Sequence, residues 1–285
     1  MKIGVVIPAH NEAELLTYCL QSFVDQQRQP DQLLVVDDNS SDRTRDIAQD
    51  FAQKHNFITV LHHRSSDEHI PGAKVIQAFN RGKQELFDCD LIGKFDADIL
   101  LPPNYFYEVE KAFEKESNLA LAGGLLYVLE GEDWVYETIS KKDHIRGPIK
   151  LYRSKALEEI GGLVPQRGWD NADRWMLEAA GYTTKVLPEL HVKHLRPTGR
   201  GYSVQRTAEK GQVLGQLRYD PLLAAIACLK TARQGSKTIP VFFQLYKGYW
   251  KGFLGSKHLV NKAQGKFIRR KRWHGVWRAL SAKPQ

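Results

Sequence analysis

The chain has 285 residues, 42% of them hydrophobic, and a formal charge of +8; that is enough apolar material for one large core, or for a core domain with an appendage. Three cysteines (Cys19, Cys89, Cys228) lie far apart, which excludes a disulfide scaffold or a cysteine metal centre and fits a reducing cytoplasm. No apolar stretch reaches the ~18–20 residues that span a bilayer; residues 221–229 and 239–246 are about half that length, and 1–8 is too short for a signal peptide and reads as a first strand.

The charge is unevenly placed. Residues 221–285 hold 14 Lys or Arg and no Asp or Glu, so the preceding residues carry the other 27 bases against all 33 acids. An acidic front joined to a basic, aromatic tail asks for a polyanionic partner. In chain order, 3–7 is a buried-strand run, and 11–27 carries apolar residues at helical spacing (Leu15, Leu16, Cys19, Leu20, Phe23). A strand at 32–36, a helix at 42–54, a strand at 57–62, a helix at 72–87 and a strand at 91–95 follow. This alternation predicts an α/β fold with a doubly wound, mostly parallel sheet, whose ligands sit beyond the carboxyl ends of the strands. Three polar motifs stand at such ends: Pro8-Ala9-His10-Asn11-Glu12, Asp37-Asp38-Asn39-Ser40-Ser41-Asp42 and Asp96-Ala97-Asp98.

Beyond Asp98 the pattern is mixed. A helix is predicted at 103–116, a strand pair at 119–129 around Gly123-Gly124, and a short strand at 149–152. A helix at 154–160 is closed by Gly161-Gly162, another at 170–180 by Gly181, and 183–192 is the last strand. After about Gln205 only helices are read, with breaks at Pro221, Gly235 and Pro240.

The run L-I-G-K-F-D-A-D delivers Asp96 and Asp98 where an apolar strand ends. Side chains two apart in an extended segment share a face, so both carboxylates can point at one spot. Two hard oxygen ligands suit Mg²⁺ or Mn²⁺, which in turn suits a diphosphate. Alone, such a triplet is more often a solvated turn. What strengthens it here is the ordered set around it: I-P-A-H-N-E, V-V-D-D-N-S-S-D-R-T, P-G-A-K-V-I-Q-A-F-N-R-G, K-L-Y-R-S-K-A-L-E-E-I-G-G-L and G-W-D-N-A-D-R-W. Taken together, over about residues 1–200, the chain resembles the family 2 glycosyltransferases, which have a GT-A fold and use nucleotide sugars.

The resemblance implies roles for particular residues. Pro8, Ala9, Glu12 and Asp38 would hold the nucleotide, a carboxylate accepting from a base N–H or a ribose hydroxyl. Asp37, on the opposite face, and Asp42, a helix cap, read as structural. Lys74 opens a helix beside Gly72, where it either meets a phosphate or is a surface lysine. Asp98 would coordinate Mn²⁺ or Mg²⁺ directly, and Asp96 would hold the ribose or the metal shell. His194 would complete that shell, whereas His191, three residues earlier on the same strand, faces the other way; the segment Gly199–Gly201 would be a lid. In the acceptor segment Asp173 would be the general base. The acidic pair common in the family is reduced here by Ala172, and one positioned carboxylate suffices. Asp170 is the alternative base or a helix N-cap, and Trp169 either stacks on a sugar or is a core residue.

The reading is therefore a GT-A-type sheet, mixed but mainly parallel and flanked by helices, with a basic helical extension. Residues 1–205 would form the catalytic domain (donor half about 1–100, acceptor half about 101–205) and 206–285 the extension. A single base and a metal-held leaving group imply inverting transfer to a hydroxyl of a glycan or lipid-linked acceptor. No membrane spans and no Q-x-x-R-W signature accompany Arg174-Trp175, so transfer is non-processive. The tail interleaves Lys and Arg with Phe242, Phe243, Tyr246, Tyr249, Trp250, Phe253, Phe267, Trp273 and Trp277, while Gly248, Gly252 and Gly255 weaken it as an autonomous helix. Rings and bases together suit an anionic membrane surface at ~1 kcal/mol per base, or a solvated helical face. No nucleic-acid motif accompanies the charge, so nucleic acid is not an expected partner. The location read from this is cytoplasmic, peripheral at the inner face of the membrane. Two rivals remain. A sugar-1-phosphate nucleotidylyltransferase would want a Gly-rich, Arg-bearing first loop; a non-catalytic scaffold docking through its tail rests on Ala172.

Overall fold

Near-continuous apolar strands form a parallel sheet only when both faces are covered, and the first strands of this chain meet that condition. The computed structural model describes residues 1–65, 72–139, 141–197, 204–233 and 238–281. The chain divides into two units, Met1–Gln166 with Ala180–Thr198, and Arg167–Ala179 with Gly199–Gln285. Helix 169–179, which the sequence-based division placed with the sheet, is thus grouped with the tail helices.

In the first unit β1 (Ile3–Ala9) is buried at every position but Pro8. The crossover α1 (Leu16–Val24) buries Leu16, Cys19, Leu20 and Phe23, the expected stripe. It leads to β2 (Gln32–Asp38), α2 (Thr44–Lys54), β3 (Ile58–His63), α3 (Ala73–Lys83) and β4 (Leu91–Phe95). β1 lies between β2 and β4, parallel to both, and β3 extends the edge parallel to β2. A two-residue strand that sequence patterning missed, β5 (Ile99–Leu100), precedes α4 (Tyr105–Lys115).

β6 (Leu119–Glu130) is one strand, not the expected pair. Gly123 and Gly124 do not turn the chain: a Cβ on either would overlap a carbonyl oxygen, of Ile149 or Leu190, so glycine there permits close backbone approach. The real turn comes at Gly131 (φ 64°), which returns β7 (Asp133–Tyr136) antiparallel along β6. β8 (Ile149–Arg153) and α5 (Ser154–Glu159) follow, and Gly161 and Gly162 (φ 82° and 80°) close α5 as expected. After α6 (Trp169–Ala179), which belongs to the second unit, β9 (Thr183–His194) completes the sheet. The strand order is β3-β2-β1-β4-β8-β6-β9-β5, with β7 on β6, a mixed sheet that is parallel through β3, β2, β1 and β4.

In the second unit α7 (Val204–Gln216), α8 (Pro221–Ala232), α9 (Thr238–Leu254) and α10 (Lys262–Ser281) follow. Asp220 caps α8, accepting from Leu223 N at 2.9 Å, and Pro221 takes the first helical position. Pro240 does not break the chain; it lies in the first turn of α9, where its missing N–H costs nothing. Gly235 lies outside the described residues. Gly248 and Gly252 are continuous helix. A Cβ on Gly248 would overlap the Ala208 carbonyl and one on Gly211 the Leu245 carbonyl, so these glycines let α7 and α9 touch backbone to backbone. α8 joins them through Cys228, Ala232 and Leu245. α10 reaches α6 through Lys271, paired with Glu178, and Arg272, whose guanidinium lies 4.8 Å from the Trp175 ring centroid. All three cysteines are free and buried. Among the described residues no helix is long and apolar enough to cross a membrane.

Candidate active site

The loops after β1 and β2 are laced together. Asn11 and Asn39, one in each loop, adopt left-handed conformations (φ 54° and 56°), which asparagine tolerates better than most residues. Asn11 N–H donates to Ser40 Oγ (3.0 Å), Ser41 N–H to Asn11 Oδ1 (2.8 Å), and Glu12 N–H to Thr44 Oγ1 (2.7 Å). Asp42 accepts from Thr44 N (2.9 Å) and Ala13 N (3.1 Å), fastening the first loop to the start of α2; the N-cap position itself is Arg43, so Asp42 stands one residue before the cap expected of it. Pro8, Ala9 and Asp38 thereby stand together at the carboxyl ends of two adjacent strands. Asp38 is buried, and Oδ1 accepts from Ser65 N at 2.9 Å. Asp37 is buried too and contacts His62 Nδ1 (3.1 Å) and Ser40 N (3.2 Å).

Asp96 and Asp98 lie in the turn between β4 and β5, not on an extended strand, so they do not share a face by strand parity. Asp96 pairs with the ammonium of Lys94, which is buried and also reaches Gly147 O at 3.3 Å; a buried cation demands such a partner. Asp98 is brought instead to His194. The β5–β9 register aligns Ile99 with His194, and Leu195 N donates to Asp98 O (2.9 Å). His194 Nε2 then lies 3.6 Å from Asp98 Oδ1, and Nδ1 lies 3.2 Å from Glu137 Oε2. Glu137 is buried and ion-paired with Arg146. Burial opposes charge on the imidazole, but the facing carboxylates of Asp98 and Glu137 outweigh it and raise its pKa to about 9. His191, as parity predicts, is exposed on the opposite face.

Among the described residues no three His, Cys, Asp or Glu side chains converge tightly enough to hold one ion. The expected trio of Asp96, Asp98 and His194 is here a pair, with Asp96 turned to Lys94. The pair still fits a divalent metal in donor type. A carboxylate oxygen and an imidazole nitrogen face each other, and a carboxylate behind the imidazole is the usual support of a metal-binding histidine. Glu12 forms a bidentate ion pair with Arg196, both N–O distances being 2.9 Å. Burial raises the Glu12 carboxyl pKa, Arg196 pulls it down, and the nearby Asp98 and Asp96 push it up again. One end of the sheet therefore gathers Glu12, Asp96 and Asp98 with Lys94, His194 and Arg196.

Lys74 is half-buried at the second position of α3, after Gly72 (φ 77°). Trp169, Asp170 and Asp173 lie on α6 in the second unit. Trp169 and Asp173 are buried, Asp170 is half-buried, and Asp173 Oδ1 accepts from Arg174 N at 2.6 Å. The segment Gly199–Gly201 lies outside the described residues. Sequence reasoning missed Glu137, Arg146, Lys94 and Arg196. A lysine inside the apolar run L-I-G-K-F was a legible signal for Lys94; Glu137 had none, because the hairpin that carries it was not foreseen.

Residues 4–163 match the family described as Glycosyl transferase family 2. The dolichol-phosphate mannosyltransferase of Pyrococcus furiosus is 30% identical over 200 residues, covering 68% of this chain and 53% of that protein. The undecaprenyl-phosphate 4-deoxy-4-formamido-L-arabinose transferase of Edwardsiella ictaluri is 26% identical over 167 residues, 57% of this chain and 47% of that one. The chain thus spans about half the length of these relatives. The mannosyltransferase PcManGT from Pyrobaculum calidifontis, solved with GDP-Man and Mn²⁺, superposes with a TM-score of 0.59 at 17% identity, covering 100% of this chain and 76% of that one.

Proposed function

Since the chain belongs to glycosyltransferase family 2 and has the GT-A fold, we propose that it transfers one sugar, or a few, from a nucleotide sugar to a glycan or lipid-linked acceptor, with inversion and with Mn²⁺ or Mg²⁺. The observation that carries this is the approach of His194, from the end of the last strand, to Asp98 of the D-x-D turn, with Glu137 behind the imidazole.

Pro8, Ala9, Glu12 and Asp38 hold the base and ribose in this reading, and Asp96 and Lys74 the donor's ribose and diphosphate. Asp98 and His194 would hold the metal, which when bound would neutralise charge on the departing diphosphate. The acceptor oxygen bonds to the anomeric carbon as the bond from that carbon to the diphosphate breaks. Asp173 takes the acceptor proton, and Asp170 is the alternative base. Trp169 would contact the acceptor in this reading. The basic extension (206–285) places the protein at an anionic membrane surface on the cytoplasmic side.

Relatives named for dolichol phosphate and undecaprenyl phosphate favour a second form of the acceptor. A phosphate oxygen is already ionised and needs no base, which suits Ala172. Asp173→Asn separates the two, because transfer to a hydroxyl collapses and transfer to a polyprenyl phosphate persists. The donor half is tested by calorimetry of UDP, GDP and dTDP with Mn²⁺, with EDTA, and in Asp98→Ala. Metal-dependent binding of one nucleotide, lost in the variant, is expected; a folded protein that binds none of the three sinks the reading in favour of the scaffold.

A further inference from the structure

α8 and α9 are apolar on two faces each. On α8, Leu223, Ala224, Cys228 and Ala232 are buried, while Leu222, Ile226 and Leu229 are exposed at i, i+4 and i+7. On α9, Leu245, Gly248, Tyr249 and Gly252 are buried. Ile239, Phe243, Trp250 and Leu254 are 70%, 64%, 37% and 76% exposed. At ~100° per residue these four fall within a stripe about 60° wide, on the side of α9 away from its glycines. The two stripes meet across a groove of about 320 Å³ between Ile226 and Leu229 of α8 and Ile239, Phe242 and Phe243 of α9.

A helix apolar all round is stable only when both faces are covered, and a contiguous exposed patch marks an interaction surface. The surrounding charge selects what covers this one. Lys230, Arg233, Lys247 and Lys251 are exposed beside the stripes, and residues 221–285 contain no acid. A second copy would bring the same positive charge to the same face. An anionic bilayer offers both complements, acyl chains for the stripes and phosphates for the flanking bases, with rings at headgroup depth.

We infer that α8 and α9 form a lipid-docking face that lies in the plane of an anionic bilayer and inserts Ile226, Leu229, Ile239 and Phe243 below the phosphates. This rests on the membrane reading above and sharpens it: charge attraction by the tail requires no particular face, whereas insertion requires this one.

The test is sedimentation of the full chain with phosphatidylcholine vesicles, with and without phosphatidylglycerol, comparing wild type, Ile239→Asp and Phe243→Asp. Binding to the anionic vesicles is expected, weakened by about ten-fold or more in each variant at unchanged nucleotide binding. Brominated lipids should quench the wild-type fluorescence, and Trp250→Phe should remove most of that quenching; this arm stands even if an aspartate variant does not fold. Salt-sensitive binding that ignores both aspartate variants, without quenching, overturns insertion and leaves peripheral attraction intact. No binding to either vesicle overturns both. A dimer dissolved by Phe243→Asp, with no vesicle binding, makes the face an interface between copies and overturns the inference.

Discussion

The two units handle charge in opposite ways. Around the candidate site of the sheet unit the charges are drawn inward and paired: Lys94 with Asp96, Arg146 with Glu137, His194 between Glu137 and Asp98, and Glu12 with Arg196. In the helical unit Lys230, Lys247 and Lys251 stand in solvent beside exposed rings, while the interior is made of glycines, small side chains and Tyr249. Paired, desolvated charges hold a definite geometry and act on a small ligand at short range. Dispersed exposed charges are screened within about 10 Å, and their usefulness grows with the extent of the partner. The first arrangement suits a nucleoside diphosphate and the second a surface.

The sharpest way to break that contrast is Asp98→Asn. Turnover should fall about 10²–10³-fold in a protein that still folds, with a slightly lowered melting temperature because His194 loses a carboxylate partner; steady-state kinetics beside a melt would read both, and near-normal turnover would remove Asp98 from the chemistry. Glu137→Gln acts one contact further back. Mn²⁺ affinity by calorimetry should drop about 10–100-fold, and an unchanged affinity would reduce Glu137 to a structural partner of Arg146.

In the helical unit the corresponding probe is steric. Gly211→Val sets side-chain atoms against the Leu245 carbonyl and should cost about 1–3 kcal/mol in a denaturant melt. Nucleotide binding should survive below the transition; joint loss of both would show that the units do not respond separately.

A smaller effect is expected from His194. Its pKa is about 9 in the folded protein against an ordinary 6.5, so its contribution to stability is complete below pH 6.5 and is lost as pH rises through about 9. The melting temperature should decline across that window, and His194→Gln should flatten the decline. Equal slopes in the two proteins would count against the paired imidazolium. The smallest change is Asp42→Ala, which removes its hydrogen bonds to Thr44 N and Ala13 N at the start of α2 for about 1 kcal/mol, measured by denaturant titration.

Local features were legible from the chain alone. Apolar runs long enough for buried strands and the helical spacing between them identified a doubly wound sheet, and Asp38, Asp96 and Asp98 at strand ends marked the end that carries the candidate site. Parity placed His191 and His194 on opposite faces, because alternation is a property of a single strand. Glycine, read by propensity, misled once and told only half the reason once. Gly123-Gly124 is not a turn, and Gly248, read only as a weakness of an isolated helix, sits where α9 meets α7; in both places the missing Cβ serves a backbone that arrives from elsewhere.

What the tertiary structure decided is which distant groups meet. Asp98 and His194 come together through the pairing of β5 with β9, Glu137 arrives behind the ring through a hairpin off β6, and Asp96 turns to a lysine buried two residues before it. Each depends on strand pairing or burial, which composition and periodicity do not encode. Sequence specifies the local conformations and the chemical inventory; long-range register, set by the burial of a whole sheet, selects the contacts.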